Sequence, residues 1–243
     1  MEEEQQLVGG RTTPGVVRVG DTVRRPRGHR AGFVTAALVW LNEHGFQYAP
    51  GYLGVDAQGR DVLEYRPGST TDHPSQRHEG AYADIASILR QLHTLTVGAD
   101  FLEPESACLI HGDPGPYNTI MGDGRPTTLI DWDSARPGDP IEDVGYAAWT
   151  WCVQAVGNVP LQDQARRLRQ FRDAYDPLMS GRVFLNALLD QQERLARVES
   201  RMTTDTNCSE ARRRHATEAV QWATNDASLV REHWDVFMTA MSR

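Results

Sequence analysis

The chain has 243 residues, enough to bury a good core as one large domain or as two small lobes. A formal net charge of −8, with 40% hydrophobic and 24% charged residues, describes an ordinary globular protein and disfavours nonspecific nucleic-acid binding. No apolar run approaches the roughly 20 residues of a membrane helix, and the acidic start MEEEQQ is unlike a secretory or transit segment, so the expected location is the cytoplasm, away from membranes.

All 25 basic residues are arginine; the chain contains no lysine. Cys108, Cys152 and Cys208 are odd in number and widely spaced, which reads as idle thiols rather than a disulfide framework or a Cys-based metal site. The Arg212–Arg214 run reads as solvated helix surface.

From Leu7 to Gly68 short β-rich runs alternate with Gly, Pro and Asp, and Gly20-Asp21 and Gln58-Gly59 mark two hairpins. One helix interrupts them: in FVTAALVWLNEHGF, Val34, Ala37, Leu38 and Leu41 recur at helical spacing and Gly45 supplies a stop. Arg66-Pro67-Gly68-Ser69 is the expected boundary between an N-terminal part, 1–68, and a C-terminal part, 69–243. Beyond it Ile85, Ile88, Leu89, Leu92 and Leu95 form the stripe of a helix over about 79–96. Further helices are expected over 143–156, 161–176, 180–201, 209–224 and 226–241. His93 is expected at the edge of the helical core, and Trp132, Trp149 and Trp151 read as packing residues.

Inside the helical part lies an island of short strands, 107–110, 118–121 and 127–131, reading CLIHGDPGPYNTIMGDGRPTTLIDWD from Cys108 to Asp133. It presents His111, Asp113, Asn118 and Asp131 at strand ends. Phosphoryl transfer needs a carboxylate to take the attacking hydroxyl's proton and hard oxygen ligands for Mg²⁺ on the nucleotide phosphates. The spacing from Asp113 to Asn118 matches the Asp-to-Asn interval of a kinase catalytic loop, and Asp131 stands in place of the later metal-binding aspartate. Read alone, the His-Gly-Asp turn is equally consistent with ordinary loop chemistry.

Taken together, His111-Gly-Asp113-Pro-Gly-Pro-Tyr-Asn118, Leu129-Ile-Asp131-Trp-Asp133 and Gly138-Asp139-Pro-Ile-Glu-Asp143 resemble the aminoglycoside phosphotransferase and choline kinase-like family. The resemblance spans about 107–149 and, more loosely, 7–68. It implies an α+β, two-lobed protein-kinase-like fold with a small β-rich N-terminal nucleotide lobe and a larger helical C-terminal lobe. It also implies transfer of a phosphoryl group from ATP or GTP, with Mg²⁺, to a hydroxyl of a small molecule such as an antibiotic.

Carried over residue by residue, Asp113 is the expected base and His111 the brace of its loop. Asn118 and Asp131 are the expected Mg²⁺ ligands, and Asp133 serves a second metal or the acceptor. Asp143 is an expected structural aspartate that orders the loops. Gly115 stands where protein kinases place a lysine, which favours the small-molecule branch.

In the N-terminal lobe the Gly-rich turn survives as Gly9–Gly15, with Gly10 against phosphate. Arg24 lies nearest the place of the missing lysine, with Arg25 on the opposite face of the strand. Helix register puts Thr35 or a neighbouring apolar residue where the lysine's glutamate partner belongs, and Glu43 is too near the helix end. The stretch Leu63-Glu64-Tyr65-Arg66 is the expected adenine hinge, through backbone groups. Acidic residues from Asp131 to Glu142 suit either a cationic acceptor or two Mg²⁺ ions. Two other readings stand beside this one: a weak or inactive kinase fold that binds nucleotide or a partner, and a kinase of peptide Ser/Thr.

Overall fold

A computed structural model describes residues 3–7, 15–102 and 108–242. Gly10 and most of the Gly9–Gly15 turn lie outside the described residues.

The N-terminal part is one antiparallel sheet in the order β1-β2-β3-β5-β4, made of β1 (Gln5–Gln6), β2 (Val17–Val19), β3 (Thr22–Arg25), β4 (Tyr52–Val55) and β5 (Asp61–Glu64). The hairpins fall where the turn residues place them. Gly20 (φ +57°) closes β2–β3 and Gly59 (φ +77°) closes β4–β5, both in the left-handed region that a residue with a Cβ avoids. Helix α1 (Ala31–Glu43) buries Val34, Ala37, Leu38 and Leu41, the predicted stripe.

After β5 the chain crosses to the helical part. Gly68 (φ +132°) runs so close to β7 (Thr119–Gly122) that a Cβ would stand 2.4 Å from the Met121 carbonyl oxygen. Next in the chain, Ser69 accepts a hydrogen bond from the Met121 N–H at 2.9 Å.

The helical part consists of α2 (Ala81–Thr96), α3 (Pro140–Cys152), α4 (Leu161–Tyr175), α5 (Gly181–Thr203), α6 (Glu210–Glu232) and α7 (Trp234–Met241). Two small antiparallel pairs carry the loops: β6 (Cys108–Ile110) with β9 (Arg136–Gly138), and β7 with β8 (Arg125–Leu129).

Three differences from the sequence expectation have a local cause. Helix α3 starts at Pro140 rather than 143, because the Asp139 carboxylate accepts from the Ile141 N–H and proline suits the first turn. Helix α6 runs through Asn225-Asp226, where a break was expected, because Asp226 is buried and accepts from Trp149 Nε1 at 2.8 Å and from the Ala155 N–H at 2.6 Å. Strand β9 was not foreseen, since Arg-Pro-Gly carries no strand signal.

Helix α3 is the axis of the core: Val144, Ala147, Ala148, Trp149 and Trp151 are fully buried, with Trp149 stacked on Trp222 of α6. All three cysteines are free, Cys108 and Cys152 in the core. Among the described residues no helix is long and apolar enough to cross a membrane.

Candidate active site

The site forms where β6 delivers its loop beside the end of β8. Gly112 (φ +82°) makes the turn, and a Cβ there would stand 2.5 Å from the Ser134 carbonyl oxygen, so glycine is required on both counts. The loop is pinned from beneath by Asp143 of α3, whose carboxylate accepts from the His111 N–H at 2.7 Å and the Gly112 N–H at 2.8 Å. A third bond comes from His93 Nε2 at 3.2 Å, and the other ring nitrogen of His93 meets the Tyr175 hydroxyl at 2.9 Å. Burial alone would raise the Asp143 carboxyl. The hydrogen bonds from the His93 ring and the Gly112 N–H more than reverse this and hold it below the usual carboxylate range.

His111 is fully buried, donates from Nε2 to the Ile130 carbonyl at 3.1 Å, and accepts the Asp113 N–H on Nδ1 at 3.3 Å. Burial lowers its pKa. A neutral ring with both nitrogens engaged ties the loop to the strand that carries Asp131; it has no free nitrogen for a proton-transfer role.

Asp113 is half-buried in this loop. Burial pushes its carboxyl up to about 6, against the lowering effect of hydrogen bonds from Tyr146 and Tyr117. The Tyr117 hydroxyl lies 3.3 Å from Asp113 Oδ1 and 2.5 Å from the Tyr146 hydroxyl, so two phenols stand over the carboxylate. Sequence reading missed both. Tyr117 sits four residues after Asp113, but Tyr146 reaches it only through the packing of α3.

Asn118 donates from Nδ2 to the Asp113 carbonyl at 3.1 Å, a bond that does not engage its side-chain oxygen. Its backbone carbonyl accepts the Ile130 N–H at 2.9 Å, placing Asn118 beside Asp131. Asp131 holds a left-handed backbone (φ +61°), an uncommon conformation for a residue with a side chain and one that marks functional turns.

The arginines correct the sequence expectation. Arg25, not Arg24, faces the acidic pair: its Nη2 lies 2.5 Å from Asp133 Oδ2 and 3.4 Å from Asp131 Oδ1. Arg24 turns to the other face, with Nε 3.8 Å from Asp56 and Nη1 2.5 Å from the Thr22 hydroxyl. Strand alternation required opposite faces, and sheet pairing decides which one fronts the cleft.

At the expected hinge two backbone donors are engaged within the sheet lobe. The Glu64 N–H donates to Gly51 O at 2.8 Å and the Tyr65 N–H to Asp21 O at 2.9 Å, so sheet bonding already uses both donors. Arg66 pairs with the Glu64 carboxylate at 3.0 Å.

The acidic surplus near the site is largely spent. Asp139 caps α3, and Glu142 is paired with Arg136 and with Arg194, each at 2.5 Å.

For a divalent ion, the Asn118 side-chain oxygen and Asp131 make a hard oxygen donor set of the kind Mg²⁺ takes, with several positions left for phosphate and water. These residues fit that group.

The fold is the two-lobed kinase-like fold of small-molecule phosphotransferases. It aligns with a choline/ethanolamine kinase family protein from Mesorhizobium loti over 98% of this chain and 92% of that one (TM-score 0.61, 18% identity). It aligns with spectinomycin phosphotransferase, solved with ADP and spectinomycin, over 99% and 93% (TM-score 0.62, 11% identity). In sequence, residues 99–182 match the model of the phosphotransferase enzyme family, the segment that carries the catalytic-type loop, so the resemblance to the aminoglycoside phosphotransferase and choline kinase-like family holds in sequence and in fold. The chain is also 28% identical, over 96% of its length and 97% of the relative's, to the trifolitoxin immunity protein of Rhizobium leguminosarum bv. trifolii.

Proposed function

We propose that this protein is a phosphotransferase that moves the γ-phosphoryl group of ATP or GTP to a hydroxyl of a small-molecule toxin or antibiotic-like compound. The observation that carries this reading is that Asn118 is bonded to Asp113 on one side and to the neighbour of Asp131 on the other, with Arg25 of the sheet reaching Asp131. Residues 1–68 form the nucleotide lobe and 69–243 the catalytic and acceptor lobe.

Asp113 accepts the proton of the acceptor hydroxyl as that oxygen attacks phosphorus. Tyr117 and Tyr146 orient the Asp113 carboxylate and keep bulk water from it, and Asp143 and His111 hold the loop still. Asn118 and Asp131 would hold Mg²⁺, which supplies charge neutralisation on the phosphates. Arg25 meets the triphosphate from the sheet side. A nucleotide-dependent enzyme of this kind works in the cytoplasm. Because the acidic residues of 131–142 are mostly paired or capping, an uncharged hydroxylated acceptor suits the site better than a strongly cationic one.

The similarity to an immunity protein motivates the choice of a toxin as acceptor, and on this reading covalent phosphorylation is the form of protection. A second reading, immunity through binding by a kinase fold without transfer, is favoured by the absence of lysine. Calorimetry with ATP and GTP, with and without Mg²⁺, followed by a hydroxyl-compound panel read by mass spectrometry, separates the two. Mg²⁺-dependent nucleotide binding and a gain of one phosphate on an acceptor are expected, and Asp113→Asn should keep the binding while losing turnover by about 10²–10⁴-fold. Toxin binding with no nucleotide binding would favour the second reading.

A further inference from the structure

The kinase-like site ordinarily anchors its nucleotide-lobe cation on a glutamate of the helix. Neither half of that device is present. The chain has no lysine, and the one acidic residue of α1 is Glu43 at its last position. The middle of that helix offers Arg25 no carboxylate, and the hydroxyl of its Thr35 is buried without a hydrogen-bond partner among the described residues. Arg25 therefore finds its counter-charge in the other lobe.

The pairing is lopsided in an informative way. Arg25 Nη2 makes a full hydrogen bond to Asp133 Oδ2 at 2.5 Å, but stands 3.4 Å from Asp131 Oδ1. The Arg25 side chain is 12% exposed against 45% for Asp133, so the guanidinium is held in the cleft rather than loose at the rim. The chain passing from β3 to α1 closes one flank of Asp133: a Cβ on Gly28 would stand 3.8 Å from its carboxylate oxygens. A divalent ion taking Asp133 as ligand would have to sit against a fixed positive charge, and repulsion opposes this strongly at such range. Among the described residues no hydrogen bond reaches the Asn118 side-chain oxygen, and the hydrogen bond from Arg25 to Asp131 is made at Oδ1 alone.

We infer that Arg25, seated on Asp133, takes the place of a second metal ion, so that the triphosphate is held by one divalent ion on Asn118 and Asp131 and by one guanidinium. Asp133 is then a positioning residue for Arg25 and not a metal ligand, which replaces the role expected for it from sequence. The inference rests on the phosphotransferase reading and specifies its cation set. A planar fork suits the task, because it can keep one donor edge on the carboxylate and offer the other to phosphate oxygens, which a single ammonium does less well.

The test counts ions rather than turnover. The protein is saturated with a non-hydrolysable ATP or GTP analogue and Mn²⁺, and bound Mn²⁺ per bound nucleotide is read by electron paramagnetic resonance after removal of free ligand. One Mn²⁺ per nucleotide is expected in the wild type, and still one in Asp133→Asn, which removes the charge but keeps the shape. Two in the wild type, or none in D133N, would overturn the inference. Arg25→Met is expected to weaken binding of the analogue at least tenfold while circular dichroism stays native-like; unchanged affinity would equally overturn it. Failure of the wild type to bind nucleotide in the presence of Mn²⁺ is a different result, and sinks the phosphotransferase reading itself.

Discussion

Asp113 shows how one residue's surroundings set a working range. As the proposed base it must be ionised, and burial raises its pKa to about 6. The rate is therefore expected to fall tenfold per pH unit below about 6 and to level off above it, measured as kcat/KM against pH with a saturating nucleotide. A profile flat down to pH 4.5 would remove Asp113 from its role. The residue types at this site were legible, because the chemistry lies in side chains at fixed spacing along one loop. The face of Arg24 and Arg25 was not. Adjacent strand residues point oppositely whatever the register, and only the pairing of Val17 with Arg24 and of Asp61 with Arg25 fixes which side meets Asp133.

At the scale of elements, α3 carries the loop as well as the core. Asp143→Ala strips three buried donors of their acceptor and is expected to cost about 3 kcal/mol of stability, read by urea unfolding, with a larger loss of turnover than of nucleotide affinity. The carboxyl of Asp143 is lowered in the folded state. Its contribution is thus complete above the unfolded carboxylate range and is lost as pH falls through the folded value, so the mutant's deficit should shrink in acid. The same helix packs on α5 through Gly145, where a Cβ would stand 2.3 Å from the Ala187 carbonyl oxygen. Gly145→Ala should lower stability by about 1–3 kcal/mol despite alanine's better helix propensity, and an unchanged melting temperature would contradict that packing. Helix periodicity made these helices readable. The polar pair Asn225-Asp226 misled, because a buried aspartate that serves a tryptophan on another helix looks, in one dimension, like a turn.

For the molecule as a whole, the junction is a short crossing in which Gly68 lies against β7, while Arg25 reaches Asp131 and Asp133 across the cleft. Both lobes touch the proposed nucleotide site, so a bound Mg²⁺-nucleotide should stabilise them together. At a hundredfold excess over Kd the gain is about 2.7 kcal/mol, seen as one upward-shifted melting transition. Two transitions, with only the helical part shifted, would mean that the sheet does not take part. The change from strands to helices near Gly68 was visible in the sequence as a shift in periodicity. The cross-lobe pairing was not, since it joins residues 106 and 108 positions apart.

The seating of a guanidinium on Asp133 also decides which reagents can see this cleft. Acyl-phosphate and aldehyde nucleotide probes report on kinases by trapping a lysine amine, and this chain has none to trap. A survey of nucleotide-binding proteins by amine capture would pass over it, whereas an arginine-selective dicarbonyl, used with and without nucleotide, would read occupancy of the cleft as protection of Arg25.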